Sequence, residues 1–347
     1  MGNHGASPKN HYFYPMNTVF PATYSTLCPE ALAILITEKY GFDSTCRLLV
    51  RGVGDTYLVE APGARFILRI YRRSHRSFSN IRAEVELLQA LKQENIAVAD
   101  PIPDNNGNLI QAIQAIEGER HAVLFRYAEG QALKVLNENQ LLNFGREMAR
   151  FHNVSSTVVI GGERWKLDND SMFIKPLQML EPFFAEDPEG FNWLKQAAGK
   201  AMNELSGLPA GAFSSGYCHF DFLPKNVHFK GDAVTFFDFD FMGYGWLVND
   251  LMSFRQHFIL DVYLGRTTKE AANKDFATFL RGYREHREIS DAALEAIPYL
   301  GLGFWLFYMG FHTTHDQFYA FIQPGHLSTL IRLFQHITAT YWPVAVP

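Results

Sequence analysis

The sequence predicts an α+β protein in two parts, a five-stranded antiparallel sheet in the first third and a mainly helical remainder. Three observations predict it. Between Arg47 and Tyr127, short β-branched and aromatic runs alternate with turns rich in Gly, Pro and Asn. From Asn137 onward, apolar residues recur at helical spacing, as in Leu141, Phe144, Met148 and Phe151. Within that helical part, His219 to Asn226 and then Phe236 to Asp240 break the pattern with carboxylates and an amide set among aromatic residues.

At 347 residues with 47% hydrophobic content, the chain can build two lobes around a real core. The expected division is an N-terminal lobe over residues 1–127, with an arm, a helix and the sheet, and a helical C-terminal lobe over 128–347. A formal net charge of −5 gives no general attraction to nucleic acid or anionic lipid, so neither is expected as a partner. Three scattered cysteines, Cys28, Cys46 and Cys218, fit neither a disulfide framework nor a zinc site and point to a reducing cytoplasm. The first ten residues are too polar for a secretory signal. The longest apolar run, Ala296 to Phe311, is broken by Pro298, Gly301, Gly303 and Gly310. It falls short of the ~18 residues of a membrane span and reads as a buried helix. Loose ends are expected in the N-terminal arm and after Trp342.

The elements follow in order. Pro29 and the apolar spacing of Leu32, Leu35 and Ile36 predict a first helix. Leu48 to Arg51 and Thr56 to Glu60 read as strands of a hairpin whose turn holds Gly52 and Gly54. Glycines there let backbone approach phosphate oxygens closely. Arg65 to Tyr71 is a third strand, and Ala83 to Leu91 a helix with Leu87, Leu88 and Leu91 on one stripe. Turn formers at Pro103 to Gly107 precede two more strands, Leu109 to Ile116 and His121 to Tyr127. Helices are then expected near Leu141 to His152, Leu177 to Phe184 and Asn192 to Leu205, with a loop from Gly207 to Gly216. The arginines 65, 69, 72, 73, 76 and 82 lack interleaved stacking aromatics and read as a solvated basic rim.

An Asp, an Asn after four intervening residues, and a second Asp at the end of a β-rich run form the order in which kinases supply a base and metal ligands. Asp221 would take the proton of an acceptor hydroxyl, and Asn226 and Asp238 would hold Mg²⁺ on the phosphates of ATP. Pro224 stiffens the turn that points Asp221 and Asn226 into one cleft. The structural alternative for Asp238 and Asp240 is the wet face of an ordinary strand.

These motifs resemble those of the aminoglycoside phosphotransferase and choline kinase family of small-molecule kinases, including type II homoserine kinase-like members, which share the protein-kinase fold. The similarity runs from about Tyr40 to Arg284, through 52–57, 66–71, 122–130, 145–152, 217–226 and 236–251. One departure is Phe220, where relatives usually carry Gly between the His and the Asp. The resemblance implies a two-lobe fold that binds ATP and Mg²⁺, with Gly52 and Gly54 over the phosphates. It implies that Arg69, in place of the usual lysine, contacts the α- and β-phosphates, and that Glu84 rather than Glu86 pairs with it. It implies that backbone near Phe125 and Tyr127 hydrogen-bonds adenine. His219 is expected to support the loop, His152 to pack or cap, and Asp250 to cap its helix or bind back to the loop. Asp240 is expected either behind the metal or as a strand-end carboxylate.

The implied acceptor is a small molecule with hydroxyl and amine functions, such as an amino alcohol, homoserine or choline. The aromatic stretch Phe304 to Phe321 reads as helix packing, with an ammonium cage as the alternative. His312, His315 and Asp316 lack the spacing of a metal site. Two rival readings are a stress-response Ser/Thr protein kinase and a catalytically silent nucleotide-binding scaffold. The first lacks a long activation segment between Asp238 and Asp250, and the second is motivated by Arg69 and Phe220. An aminoglycoside acceptor predicts an acidic pocket, whereas the last third is more aromatic than acidic.

Overall fold

The computed structural model describes residues 22–209, 211 and 213–343. The expected N-terminal arm and the last four residues lie outside the described residues. The first part runs α1 (Pro29–Tyr40), β1 (Thr45–Arg51), β2 (Gly54–Ala61), β3 (Ala64–Tyr71), α2 (Phe78–Gln93), β4 (Gln111–Ala115) and β5 (Gly118–Arg126). Its five strands form one antiparallel sheet in the order β1-β2-β3-β5-β4. The expected fourth strand starts two residues later than the hydrophobic pattern suggested, at Gln111.

Strand alternation gives the sheet two buried faces. Leu68, Ile70, Ala122 and Leu124 pack with Leu32 and Ile36 of α1 on one side. Val123 and Phe125 face the other way, onto α2 and the main core. Arg69, one residue from Leu68 and Ile70, therefore points into the cleft. Helix α2 starts at a capping box in which Ser77 and Asn80 exchange side-chain and backbone hydrogen bonds.

The second part runs α3 (Glu138–Ser155), β6 (Trp165–Leu167), α4 (Lys175–Leu180), α5 (Pro188–Gly207), β7 (Ser215–Cys218), β8 (Val227–Lys230), β9 (Ala233–Phe236) and β10 (Gly243–Trp246). It continues with α6 (Val248–Tyr263), α7 (Lys269–Arg284), α8 (Asp291–Glu295), α9 (Ile297–His312), a 3₁₀ turn at Asp316–Ile322 and α10 (Pro324–Tyr341). Helix α3 crosses α7 closely because Gly145 meets Gly282: a Cβ on either would fall 2.1 Å from a backbone oxygen of the other helix. The apolar run 296–311 becomes α9, buried among α4, α5 and α6. No helix among the described residues is long and apolar enough to cross a membrane.

Backbone joins the two parts on both edges of the β8–β9 hairpin. On one edge, Ala99 N–H donates to Phe236 O and Phe236 N–H to Ala97 O, both at 2.9 Å. On the other, Gln131 and Phe229 exchange a pair of hydrogen bonds at 3.1 and 2.9 Å. A third tie comes from the 3₁₀ turn after α9. Gln317 Nε2 donates to Gly52 O at 3.0 Å and its amide oxygen accepts from Arg72, while His315 stacks on His75 at 3.5 Å.

Candidate active site

Strand β7 delivers the loop of residues 219–226, and buried polar contacts hold that loop from below. Asp250, fully buried at the start of α6, accepts from His219 N–H at 2.9 Å and Phe220 N–H at 2.6 Å. His152 Nε2 lies 3.0 Å from the same carboxylate, and its Nδ1 lies 2.8 Å from the Tyr283 hydroxyl. Burial pushes the His152 pKa down, so the ring stands neutral beneath the loop. Asp250 thus binds back to the loop, one of its two expected roles. His219 Nε2–H donates to Phe237 O at 2.9 Å while its Nδ1 accepts from Asp221 N–H at 3.2 Å, which is loop support rather than chemistry.

Phe220 adopts φ 65°, the left-handed region where glycine is unstrained. Its ring is fully buried, 5.4 Å from Phe304 and 5.1 Å from Phe307. The departure from Gly is therefore compensated by ring burial against α9.

Asp221 is 2% exposed, and burial raises its pKa above the ordinary carboxylate value, opposed by Lys225 and His219. Its two oxygens differ. Oδ2 accepts from Asn226 Nδ2 at 2.8 Å and lies 3.1 Å from Lys225 Nζ, whereas Oδ1 is buried without a partner. Because Asn226 spends its amide nitrogen on Asp221, its Oδ1 is turned elsewhere, and both Asn226 and Asp238 border the same cavity. An amide oxygen and a carboxylate are hard oxygen donors that suit Mg²⁺. Among the described residues no cluster of three or more His, Cys, Asp or Glu could hold a metal by itself.

The cavity measures 490 Å³ and has an apolar and a polar end. Val50, Ile67, Leu88, Ala99, Phe125 and Tyr127 line the first; Arg69, Glu84, Lys225, Asn226 and Asp238 line the second. Gly52 and Gly54 form the turn above it, flanked by the lining residues Val50 and Thr56. At the apolar edge the Arg126 amide is already bonded to Asp100 O at 2.9 Å.

The expected Arg69–Glu84 pair is corrected by the structure. Arg69 divides its fork between Asp238 (2.5 Å) and Asp240 (2.6 Å), and Glu84 pairs with Arg164 at 2.9 Å. Arg76 binds Asp240 Oδ1 at 2.8 Å, and Arg76 and Arg164 both donate to the Asp240 carbonyl at 2.8 Å. Three guanidiniums thus face three carboxylates. Burial alone would raise Asp240, but Arg69, Arg76 and Arg164 hold it down at about 2. Burial leaves Glu84 above its ordinary value despite Arg164. Glu86, the other candidate, turns outward to Arg82 and the Gly161 amide. The expected basic rim is corrected likewise: Arg72 and Arg76 are buried, with Arg72 on Asp55 at 2.6 Å.

Sequence reasoning missed Lys225 and Arg164. Lys225 sits inside the quoted motif, and four residues after Asp221 on a tight turn was a usable signal. Arg164 had none, being 80 residues from the carboxylate it neutralises.

The model of the phosphotransferase enzyme family matches residues 45–289. The chain is 28% identical over 289 residues to a Bacillus subtilis (strain 168) protein named amicoumacin kinase, covering 80% of this chain and 83% of that one. The solved structure of amicoumacin kinase hAmiN in complex with AMP-PNP, Ca²⁺ and Ami superposes with a TM-score of 0.72 at 20% identity, over 90% of this chain and 93% of that one. The microcompartment-associated aminopropanol kinase superposes with a TM-score of 0.71 at 20% identity, over 89% and 95%. The protein-kinase-like fold expected from the sequence is the fold these neighbours share.

Proposed function

Because the chain belongs to the phosphotransferase enzyme family, we propose that it moves the γ-phosphate of ATP, with Mg²⁺, to the hydroxyl of a small amine-bearing acceptor. The observation that carries this reading is the asymmetry of Asp221. One oxygen is fixed by Asn226 and Lys225 at the polar end of the 490 Å³ cavity, and the other is left free to take a proton. The names of the relatives, kinases of amicoumacin and aminopropanol, favour an acceptor that carries an amine as well as a hydroxyl.

In this reading the base of the nucleotide lies against Val50, Ile67, Leu88 and the backbone of residues 125 and 127. Arg69 supplies positive charge to the phosphates, keeping one arm of its fork on Asp240. Asn226 and Asp238 would hold the Mg²⁺, which when bound neutralises charge on the phosphate oxygens. Asp221, raised by burial, orients the acceptor hydroxyl and takes its proton as the oxygen attacks phosphorus. Lys225, 3.1 Å from Asp221 Oδ2, favours the ionised carboxylate against the upward push of burial and stands beside the transferring group. The three free cysteines fit a reducing cytoplasm as the setting.

Asp238 and Asp250 are separated only by a 3₁₀ turn, β10 and the first turn of α6, which leaves no room for a long activation segment. The protein-kinase alternative therefore gains nothing. Asn226 and Asp238 on one cavity wall, with Asp221 hydrogen-bonded to Asn226, speak equally against a silent scaffold.

The test is Mg²⁺-dependent ATP consumption by wild type and Asp221→Asn with homoserine, choline, ethanolamine, 1-amino-2-propanol and an aminoglycoside. Stimulation by one of them, reduced about 10²–10⁴-fold in the variant, is expected. A variant that turns over as wild type sinks the assignment of Asp221.

A further inference from the structure

Two buried polar atoms beside the 219–226 loop have no hydrogen-bond partner: Asp221 Oδ1 and the hydroxyl of Tyr308 on α9. Buried polar groups are normally paired, and each exception calls for a reason. These two are neighbours. After burial itself, the Asp221 carboxylate is the foremost influence raising the Tyr308 phenol, through its charge and as a hydrogen-bonding neighbour, although the contact between them falls short of a full hydrogen bond and leaves both atoms otherwise unpartnered. Rings fix the phenol where it is: Phe241 lies 4.7 Å from it, Phe304 4.9 Å, and Phe220 stacks parallel at 6.4 Å.

We propose that Asp221 Oδ1 and Tyr308 OH form the slot for the reacting group of the acceptor, with Tyr308 as a second catalytic residue that selects a hydroxyl over an amine. The proposal rests on the phosphotransfer reading above and deepens it. Its argument is a count of protons and lone pairs. Asp221 Oδ1 can only accept, so the group between must donate to it; the Tyr308 O–H then donates to that group. An alcohol oxygen has one proton and two lone pairs. It gives the proton to Asp221, one lone pair to Tyr308, and keeps one lone pair for phosphorus. A neutral amine has a single lone pair, which Tyr308 would occupy, and an ammonium has none. In the reaction the alcohol O–P bond forms, the bond from γ-phosphorus to the β–γ bridging oxygen breaks, its electron pair leaves on ADP, and the alcohol proton passes to Asp221.

The experiment compares wild type with Tyr308→Phe, which deletes the hydroxyl and keeps the ring. Acceptors are 1-amino-2-propanol, ethanolamine, homoserine and 1,2-diaminopropane. ATP turnover is followed, and ³¹P NMR distinguishes phosphoester from phosphoramidate. Where no acceptor stimulates, the slow hydrolysis of ATP is measured instead, since water fills the same slot. Expected is a loss of about 10- to 100-fold in kcat with the KM for ATP unchanged, phosphoester as the product, and no turnover of the diamine. Phe191→Leu, on α5 and stacked on Phe184 at 5.2 Å, is the packing control, expected to melt lower yet keep kcat within about twofold. Wild-type kcat in Tyr308→Phe, an equal loss in Phe191→Leu, or phosphoramidate formation overturns the proposal. Asp221→Asn separates the two levels: if it stays active the reaction assignment fails, and if it alone is inactive only the role of Tyr308 fails.

Discussion

Replacing Phe220 by the glycine usual in relatives is expected to destabilise this protein, although it removes a strained backbone. Phe220 sits at φ 65° with its ring fully buried against Phe304, Phe307 and Tyr308. Left-handed backbone costs a non-glycine residue about 1–2 kcal/mol, which Phe220→Gly recovers. Truncating a buried Phe costs about 3–5 kcal/mol, and the extra freedom of glycine in the unfolded chain adds about 0.5–1 kcal/mol. The net expectation is a loss of about 2–4 kcal/mol, which in a chain of 347 residues lowers the melting temperature by about 3–5 °C. Phe220→Ala keeps the strain and loses the ring, so it should fall below Phe220→Gly by about 1 kcal/mol. Thermal and urea unfolding of the three proteins gives the order. A glycine variant that melts at or above wild type, or an alanine variant more stable than the glycine one, refutes the view that α9 compensates for the strained loop.

Two more perturbations probe buried charge. Arg164→Met strands Glu84 in the cleft wall and should cost about 3–5 kcal/mol, most of it regained in Arg164→Met/Glu84→Leu; urea midpoints without that recovery would falsify the pairing. His257, half-buried against the rings of Phe254 and Phe258, has its pKa lowered by desolvation to about 4 from 6.5. It is harder to protonate folded than unfolded, so stability is full above pH 6.5 and declines as pH falls toward the folded value. His257 contributes about 1–2 kcal/mol of the loss between pH 7 and pH 5, so unfolding at both pH values should show a loss smaller by that amount in His257→Gln, the remainder coming from other histidines held low by burial, such as His75 and His312.

What was legible in the sequence was whatever is encoded locally. The period-two runs of β1, β2, β3 and β5 and the glycine turn between the first two could be read because alternation and turn chemistry act over a few residues. So could the Asp221–Asn226 pair, since one stiff turn fixes both. Long-range charge partners could not. The apolar stripe of Leu87, Leu88 and Leu91 leaves Glu84 at its edge and so assigns it to Arg69, but Asp238 and Asp240 reach the same guanidinium from about 170 residues away, and Arg164 takes Glu84 from a short loop without pattern. The aromatic helix was half legible. Its composition announces burial, yet which ring carries a hydroxyl to Asp221 depends on the rotation of α9 about its axis, which no local pattern sets.

The β8–β9 hairpin, hydrogen-bonded on one edge to residues 97–99 and on the other to Gln131, works as the fixed frame of a calliper. One jaw is the edge at residues 125–128, held between those two attachments; the other is Asp238, two residues beyond β9. Main-chain bonds set the gap between them, and side-chain substitutions along the cavity change grip without changing gauge. Length as well as chemistry is therefore set by the main chain: what fills the apolar end of the cavity meets the carboxylates only if it spans that fixed gap.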